Sequence, residues 1–162
     1  MRRTFGTRES GKEYRHRKGA YAVAFDGLGR VALVEAPATR TKERRLFLPG
    51  GGIEPEESRE DCVRRECLEE TGLAARVGEY LCTGDEYLSP RVTAGRCYLH
   101  VTGHCYRTVL DEKLQEPIEA DHVLVWEDPE TCAEKMFLRY QAWAVEIAWR
   151  EVRREHQTAE GD

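Results

Sequence analysis

No stretch of this 162-residue chain is apolar for long enough to cross a membrane as a helix. The basic start MRRTFGTRES lacks the apolar centre of a secretory signal, so the cytoplasm is the expected compartment. An excess of positive charge is lacking too. With 25 Lys and Arg against 30 Asp and Glu, the net charge is −5. Such a surface does not draw in long nucleic acid, and any phosphate must be bound by local arginines or by metal. The six cysteines, Cys62, Cys67, Cys82, Cys97, Cys105 and Cys132, include no C-x-x-C pair. They sit mostly in periodic apolar segments and read as reduced core thiols, not as a zinc site or a disulfide framework. No cysteine is obviously paired with a histidine at a spacing that would mark a thiol nucleophile, and pairing in space is not legible from sequence. Internal repeats and low-complexity linkers are also missing, which leaves one domain over 19–155. Residues 1–18 are expected to form an arm or edge segment, and 156–162 a disordered tail.

What is present is concentrated between Gly51 and Leu73, GGIEPEESREDCVRRECLEETGL. At about 100° per residue, Glu66, Glu69 and Glu70 share one side of a helix, with Glu66 and Glu70 roughly 6 Å apart along its axis. Like charges so placed cost an isolated helix about 0.2–0.5 kcal/mol per pair, a penalty that cations between them remove. Val63 and Cys67 border the acidic strip, so it should line a cleft beside the buried face. Ser58 is a good N-cap, Asp61 is a weak capping-box partner, and Gly72 supplies the left-handed stop, which predicts a helix near 58–71. Leu46-Phe47-Leu48-Pro49 reads as a short strand ahead of the turn Gly50-Gly51-Gly52, where backbone can approach a ligand with no Cβ in the way. Carboxylates with a backbone carbonyl suit a hard divalent cation. An acidic helix is more often only a solvated face, and that reading competes until the spacing is counted.

Gly51, then Glu57 after five residues, then Arg65-Glu66-Cys67-Leu68-Glu69-Glu70-Thr71-Gly72-Leu73 after seven more, resembles the signature of the Nudix hydrolases with every fixed identity in register. Cys67 stands where the family carries a bulky aliphatic residue, a substitution a small buried hydrophobe tolerates. The resemblance implies an α/β/α sandwich with a mixed sheet between helices. It implies hydrolysis of a pyrophosphate bond in a nucleoside diphosphate linked to a further group, with Mg²⁺, or Mn²⁺ in its place. Glu66, Glu70 and Glu69 are the implied metal ligands, completed by the Gly50 carbonyl. Glu57 and Arg65 are implied in support, although Arg65 also fits a plain surface ion pair and Glu57 a favourable charge at the helix start. A small-molecule nucleotide is the expected partner, and a homodimer is expected because relatives often form one.

Around the signature, 20–25 and 31–34 read as a hairpin about Asp26-Gly27-Leu28-Gly29. A charged loop spans 39–45, long strands lie near 75–86 and 96–106, and another strand occupies 123–126. Tyr140, Trp143, Ala144 and Ile147 recur at helical spacing, giving a terminal amphipathic helix near 136–154 that packs on the sheet. Family members take the general base from the signature helix or from a later loop. Glu119, in Glu116-Pro117-Ile118-Glu119-Ala120-Asp121-His122, is the loop candidate and Glu86 a second, whereas His122 reads as structural or surface. Arg44, Arg45, Arg91 and Arg96 are candidate phosphate contacts. Some members that cleave ADP-ribose carry a proline shortly beyond the signature, and Pro90 lies seventeen residues after Leu73. A nucleotide sugar or ADP-ribose-like substrate is therefore expected, with nucleoside triphosphates and dinucleoside polyphosphates as alternatives. A nucleotide-sensing domain that has lost catalysis, or an acidic module for a basic partner, would keep the fold without turnover.

Overall fold

Residues 1–37, 43–93 and 97–161 are described by a computed structural model. Strands β1 (Arg2–Phe5), β2 (Tyr14–Val23), β3 (Val31–Pro37), β4 (Arg44–Phe47) and β5 (Gly50–Gly52) lead into helix α1 (Arg59–Thr71). The chain continues through β6 (Leu73–Leu88), β7 (Tyr98–Lys113), β8 (Val123–Glu127), a 3-10 turn at Pro129–Thr131, the short α2 (Cys132–Lys135) and the long α3 (Arg139–Ala159). Five strands form a mixed sheet in the order β1-β6-β7-β2-β5, in which β1 runs parallel to β6 and β2 parallel to β7. The other three form an antiparallel sheet, β4-β3-β8.

Alternation along β2 decides which helix covers which face, because successive side chains point to opposite sides. Ala20 and Ala22 pack with Cys62, Val63 and Cys67 of α1, and their small side chains let the helix sit close. Tyr21 and Val23 face the other way, into the core that holds Tyr140, Ala144, Val145 and Ala148 of α3. The mixed sheet therefore lies between α1 and α3, the sandwich the signature implies. Five of the six cysteines are buried and all are free, as core thiols should be. Among the described residues no helix is long and apolar enough to cross a membrane.

Several expectations move. The turn at Asp26 is present, with Asp26 N donating to Arg30 O at 2.9 Å and Ala32 N to Ala24 O at 2.9 Å. Beyond it the two strands part and enter different sheets, so no extended hairpin forms. Residues 14–18 belong to β2, and β1 is an edge strand, so half of the expected arm or edge segment is built into the sheet. Residues 156–159, expected as tail, continue α3: the run REVRREHQT is rich in helix-favouring Arg, Glu and Gln, and Thr158 Oγ1 bonds back to Glu155 O at 2.9 Å. The buried face of α3 is centred on Tyr140, Gln141, Ala144, Val145, Ala148 and Val152, with Trp143 and Ile147 at its half-buried edge.

Candidate functional site

The helix that carries the acidic strip is closed at both ends by local chemistry. Ser58 Oγ accepts from Asp61 N at 3.1 Å, and Gly72 at φ 74° returns its N–H to Leu68 O. The helix leans on the glycine turn because glycine alone fits there. Gly50 sits at φ 148°, and a Cβ on it would meet Ala20 O at 2.3 Å. A Cβ on Gly51 would stand 2.5 Å from Glu66 Oε1, so the missing side chain is what admits the carboxylate. The turn is also anchored from behind. Ala22 N donates to Pro49 O at 2.8 Å, and Leu48 N donates to Oε1 of the fully buried Gln141 at 2.8 Å. Gln141 in turn donates to the Tyr140 hydroxyl at 3.1 Å. Sequence reading passed over Gln141; a lone amide on the apolar stripe of α3, between Tyr140 and Ala144, is the signal that marks it.

Arg65 organises the acidic strip. Its Nε and Nη2 donate to the two oxygens of Glu57 at 2.7 and 3.0 Å, a bidentate pair. Nη1 donates to Glu66 at 2.9 Å and to Glu69 at 3.3 Å, and Nη2 also reaches Gly52 O at 3.0 Å. The guanidinium holds the Glu57 carboxyl down at about 2, and those same carboxylates raise Arg65 above its ordinary value. Glu57 also accepts from Glu54 N at 3.1 Å, which ties it to the loop before the helix.

Glu66, Glu69 and Glu119 each offer an oxygen within 4.8 Å of the others. Glu119 arrives from the loop after β7, drawn in where Ile118 N donates to Glu69 O at 2.8 Å. Glu70 lies deeper, 5% exposed, and accepts from Gly50 N at 3.1 Å. Burial pushes its carboxyl up to about 9; the Gly50 N–H opposes this, and Glu66 and Glu119 add to it. Burial likewise raises Glu66, against the pull of Arg65. All the donors are oxygens, the set a hard divalent ion prefers, so the residues present fit Mg²⁺ or Mn²⁺.

The candidate phosphate contacts are spread out. Arg44 is engaged with Glu35 at 2.6 Å and with the carbonyls of Glu35 and Asp121. Arg45 pairs with Glu43 at 2.9 Å and stacks on Phe137, 4.9 Å from its ring centre. Arg91 is exposed in the turn after β6, and Arg96 lies outside the described residues, as does part of the 39–45 loop. Pro90 belongs to a simple turn in which Val92 N and Thr93 N both donate to Ser89 O. Glu86 is not in the carboxylate cluster. It is 2% exposed under the start of α3, accepting from Arg139 Nε at 3.1 Å and Tyr140 N at 3.3 Å, so it caps that helix.

The model of the NUDIX domain matches residues 15–146. The chain belongs to the NUDIX family. A CTP pyrophosphohydrolase of Escherichia coli (strain K12) is 34% identical over 71 residues, 44% of this chain and 53% of that protein. The match thus spans about half the length of that relative. Among solved structures, the E. coli ORF135 protein superposes with a TM-score of 0.62 at 25% identity, covering 86% of this chain and 94% of that one. A NUDIX hydrolase from Nitrosomonas europaea gives a TM-score of 0.66 at 19% identity over 83% and 88% of the two chains, a likeness of fold alone.

Proposed function

We propose that this NUDIX hydrolase cleaves the pyrophosphate bond of a nucleoside polyphosphate with Mg²⁺ or Mn²⁺ held by Glu66, Glu69 and Glu70. The observation that carries the reading is the crowding of Glu66, Glu69 and Glu119 within 4.8 Å of one another, with the buried Glu70 on the same helix as the first two. Carboxylates brought together without enough donors repel one another, and a divalent cation turns that repulsion into binding. When bound, such a cation lowers the pKa of a coordinated water and neutralises charge on the departing phosphate.

The chain's own groups supply the rest. Arg65 fixes Glu66 and Glu69 and is itself oriented by Glu57, so the ligating oxygens are preorganised before substrate arrives. Glu119, the one carboxylate of that trio to which Arg65 does not donate, takes the proton from the attacking water. The glycine turn admits the substrate's phosphates beside the helix. Arg44 and Arg45, on β4, would have to leave Glu35 and Glu43 to meet them.

Among substrate classes, a nucleoside triphosphate is favoured by the relative named as a CTP pyrophosphohydrolase, and it would yield a monophosphate and pyrophosphate. The nucleotide sugar or ADP-ribose reading rests on Pro90, which has an ordinary role in its turn. A panel of nucleoside triphosphates, nucleotide sugars, ADP-ribose and dinucleoside polyphosphates, incubated with Mg²⁺ or Mn²⁺ in ¹⁸O-water, separates these. Chromatography and mass should show triphosphates consumed fastest, with ¹⁸O in one product. Faster turnover of ADP-ribose would reverse the choice of substrate, and no turnover of any member would sink the enzymatic reading.

A further inference from the structure

Glu119 reaches the carboxylate cluster from a loop, and a loop glutamate has several side-chain torsions to be held in place. The backbone beneath it is pinned. Leu114 N donates to Gly72 O at 2.8 Å, Ile118 N to Glu69 O at 2.8 Å and His122 N to Glu119 O at 3.0 Å. Arg44 Nη2 closes the far end on Asp121 O at 3.0 Å. The carboxylate is a different matter. Among the described residues the one basic side chain in ion-pair range of it is His122, whose Nε2 lies 2.8 Å from Glu119 Oε2. The other ring nitrogen, Nδ1, lies 3.0 Å from Asp121 Oδ1, so the imidazole is wedged between two acidic side chains. The His122 side chain is only 23% exposed. Repulsion from Glu66 and Glu69 would otherwise swing Glu119 outward, where water solvates it at no cost in rotamer freedom.

We propose that His122 is a positioning residue for the hydrolysis, holding the Glu119 carboxylate against Glu66 and Glu69 where it can take a proton from water. This rests on the reading of Glu119 as the proton acceptor. A role exerted wholly through another residue has a distinctive signature, because removing that residue removes the effect.

The test is steady-state kinetics with Mg²⁺ and either CTP or ADP-ribose, whichever the panel shows to be turned over. The proteins compared are wild type, His122→Ala, His122→Gln, Glu119→Gln and the His122→Ala/Glu119→Gln double variant, each with its thermal midpoint. His122→Ala should lower kcat about 10-fold with KM little changed, the size of effect seen when an orienting partner is removed. His122→Gln, which keeps a donor of similar reach, should regain part of the loss. In the Glu119→Gln background, His122→Ala should change kcat no further. A wild-type kcat for His122→Ala beside an impaired Glu119→Gln overturns the positioning role alone. So does an equal loss in both backgrounds, which would make His122 act independently of Glu119. Full activity of Glu119→Gln overturns both this role and the general-base reading on which it rests. Should His122→Ala not fold, His122→Phe, which keeps a ring but no donor, decides: a kcat equal to wild type beside an impaired Glu119→Gln counts against the role.

Discussion

Asp85 and Glu70 are equally hidden carboxylates, 4% and 5% exposed, yet Asp85 is held down to about 2 while Glu70 is pushed up to about 9. The difference is in their partners. Asp85 accepts from Arg2 at 2.7 and 3.1 Å and from Thr102 at 2.7 Å, with His100 at 2.9 Å, so donors surround its charge. Glu70 has one backbone N–H, from Gly50, and acidic neighbours. A buried charge that is fully partnered stabilises the fold, whereas one left short of donors beside other carboxylates is a place for a cation. By that criterion the Asp85 network ties β1 to β6 and β7, and the Glu70 side of the molecule is the one proposed to do the chemistry.

The comparison breaks most visibly under amide substitution. Glu66→Gln or Glu69→Gln should cost about 10²–10³ in kcat, the scale of losing a group that stabilises transition-state charge, with the thermal midpoint unchanged or raised. Asp85→Asn should do the reverse, losing about 2–3 kcal/mol of stability by denaturant titration while kcat of the folded fraction stays at wild type. Arg65→Lys should reduce kcat about 10–100-fold, because a point charge cannot hold Glu57 through two parallel bonds and reach Glu66 and Glu69 as well. Gln141→Leu, which strands the Leu48 N–H behind the glycine turn, should cost about 1–3 kcal/mol with a smaller fall in kcat.

Acid and base sharpen the same contrast. Burial lowers His104 to about 4 from its ordinary 6.5, so between those values the unfolded chain takes up a proton that the folded one refuses, and stability falls as pH falls. Asp85 extends the loss from 3.8 down to about 2. Glu70 acts oppositely: its folded value lies above its ordinary 4.5, so its contribution is present at low pH and is lost as pH rises towards about 9. Denaturation curves of metal-free protein should therefore show both limbs, and Mg²⁺ should lift the alkaline limb alone. At about 100 times its Kd the ion would add about 2.7 kcal/mol.

Much of the candidate site was legible because its information is local. The caps at Ser58 and Gly72, the glycine turn and the register of Glu57, Arg65, Glu66, Glu69 and Glu70 all lie within one turn and one helix. Glu119 could be named because a loop carboxylate was expected there, but its approach to Glu66 depends on a bond between Ile118 and Glu69 that no spacing announces. The Asp85 network was invisible: Arg2 and Asp85 are separated by 83 residues and meet only because β1 pairs in parallel with β6. Gln141 was missed for the same reason, its partner Leu48 being 93 residues away. The parting of the strands after Asp26 into two sheets is likewise set by pairing with β7 and β8, not by the turn.

Titration of Mn²⁺ into metal-free protein near neutral pH, for wild type and for a Glu66→Gln/Glu69→Gln variant, goes straight to the claim that crowded carboxylates form a cation site. Calorimetry should record saturable binding to wild type with release of protons, and little or none to the variant. No heat of binding with wild type, or equal affinity in the two proteins, would contradict it.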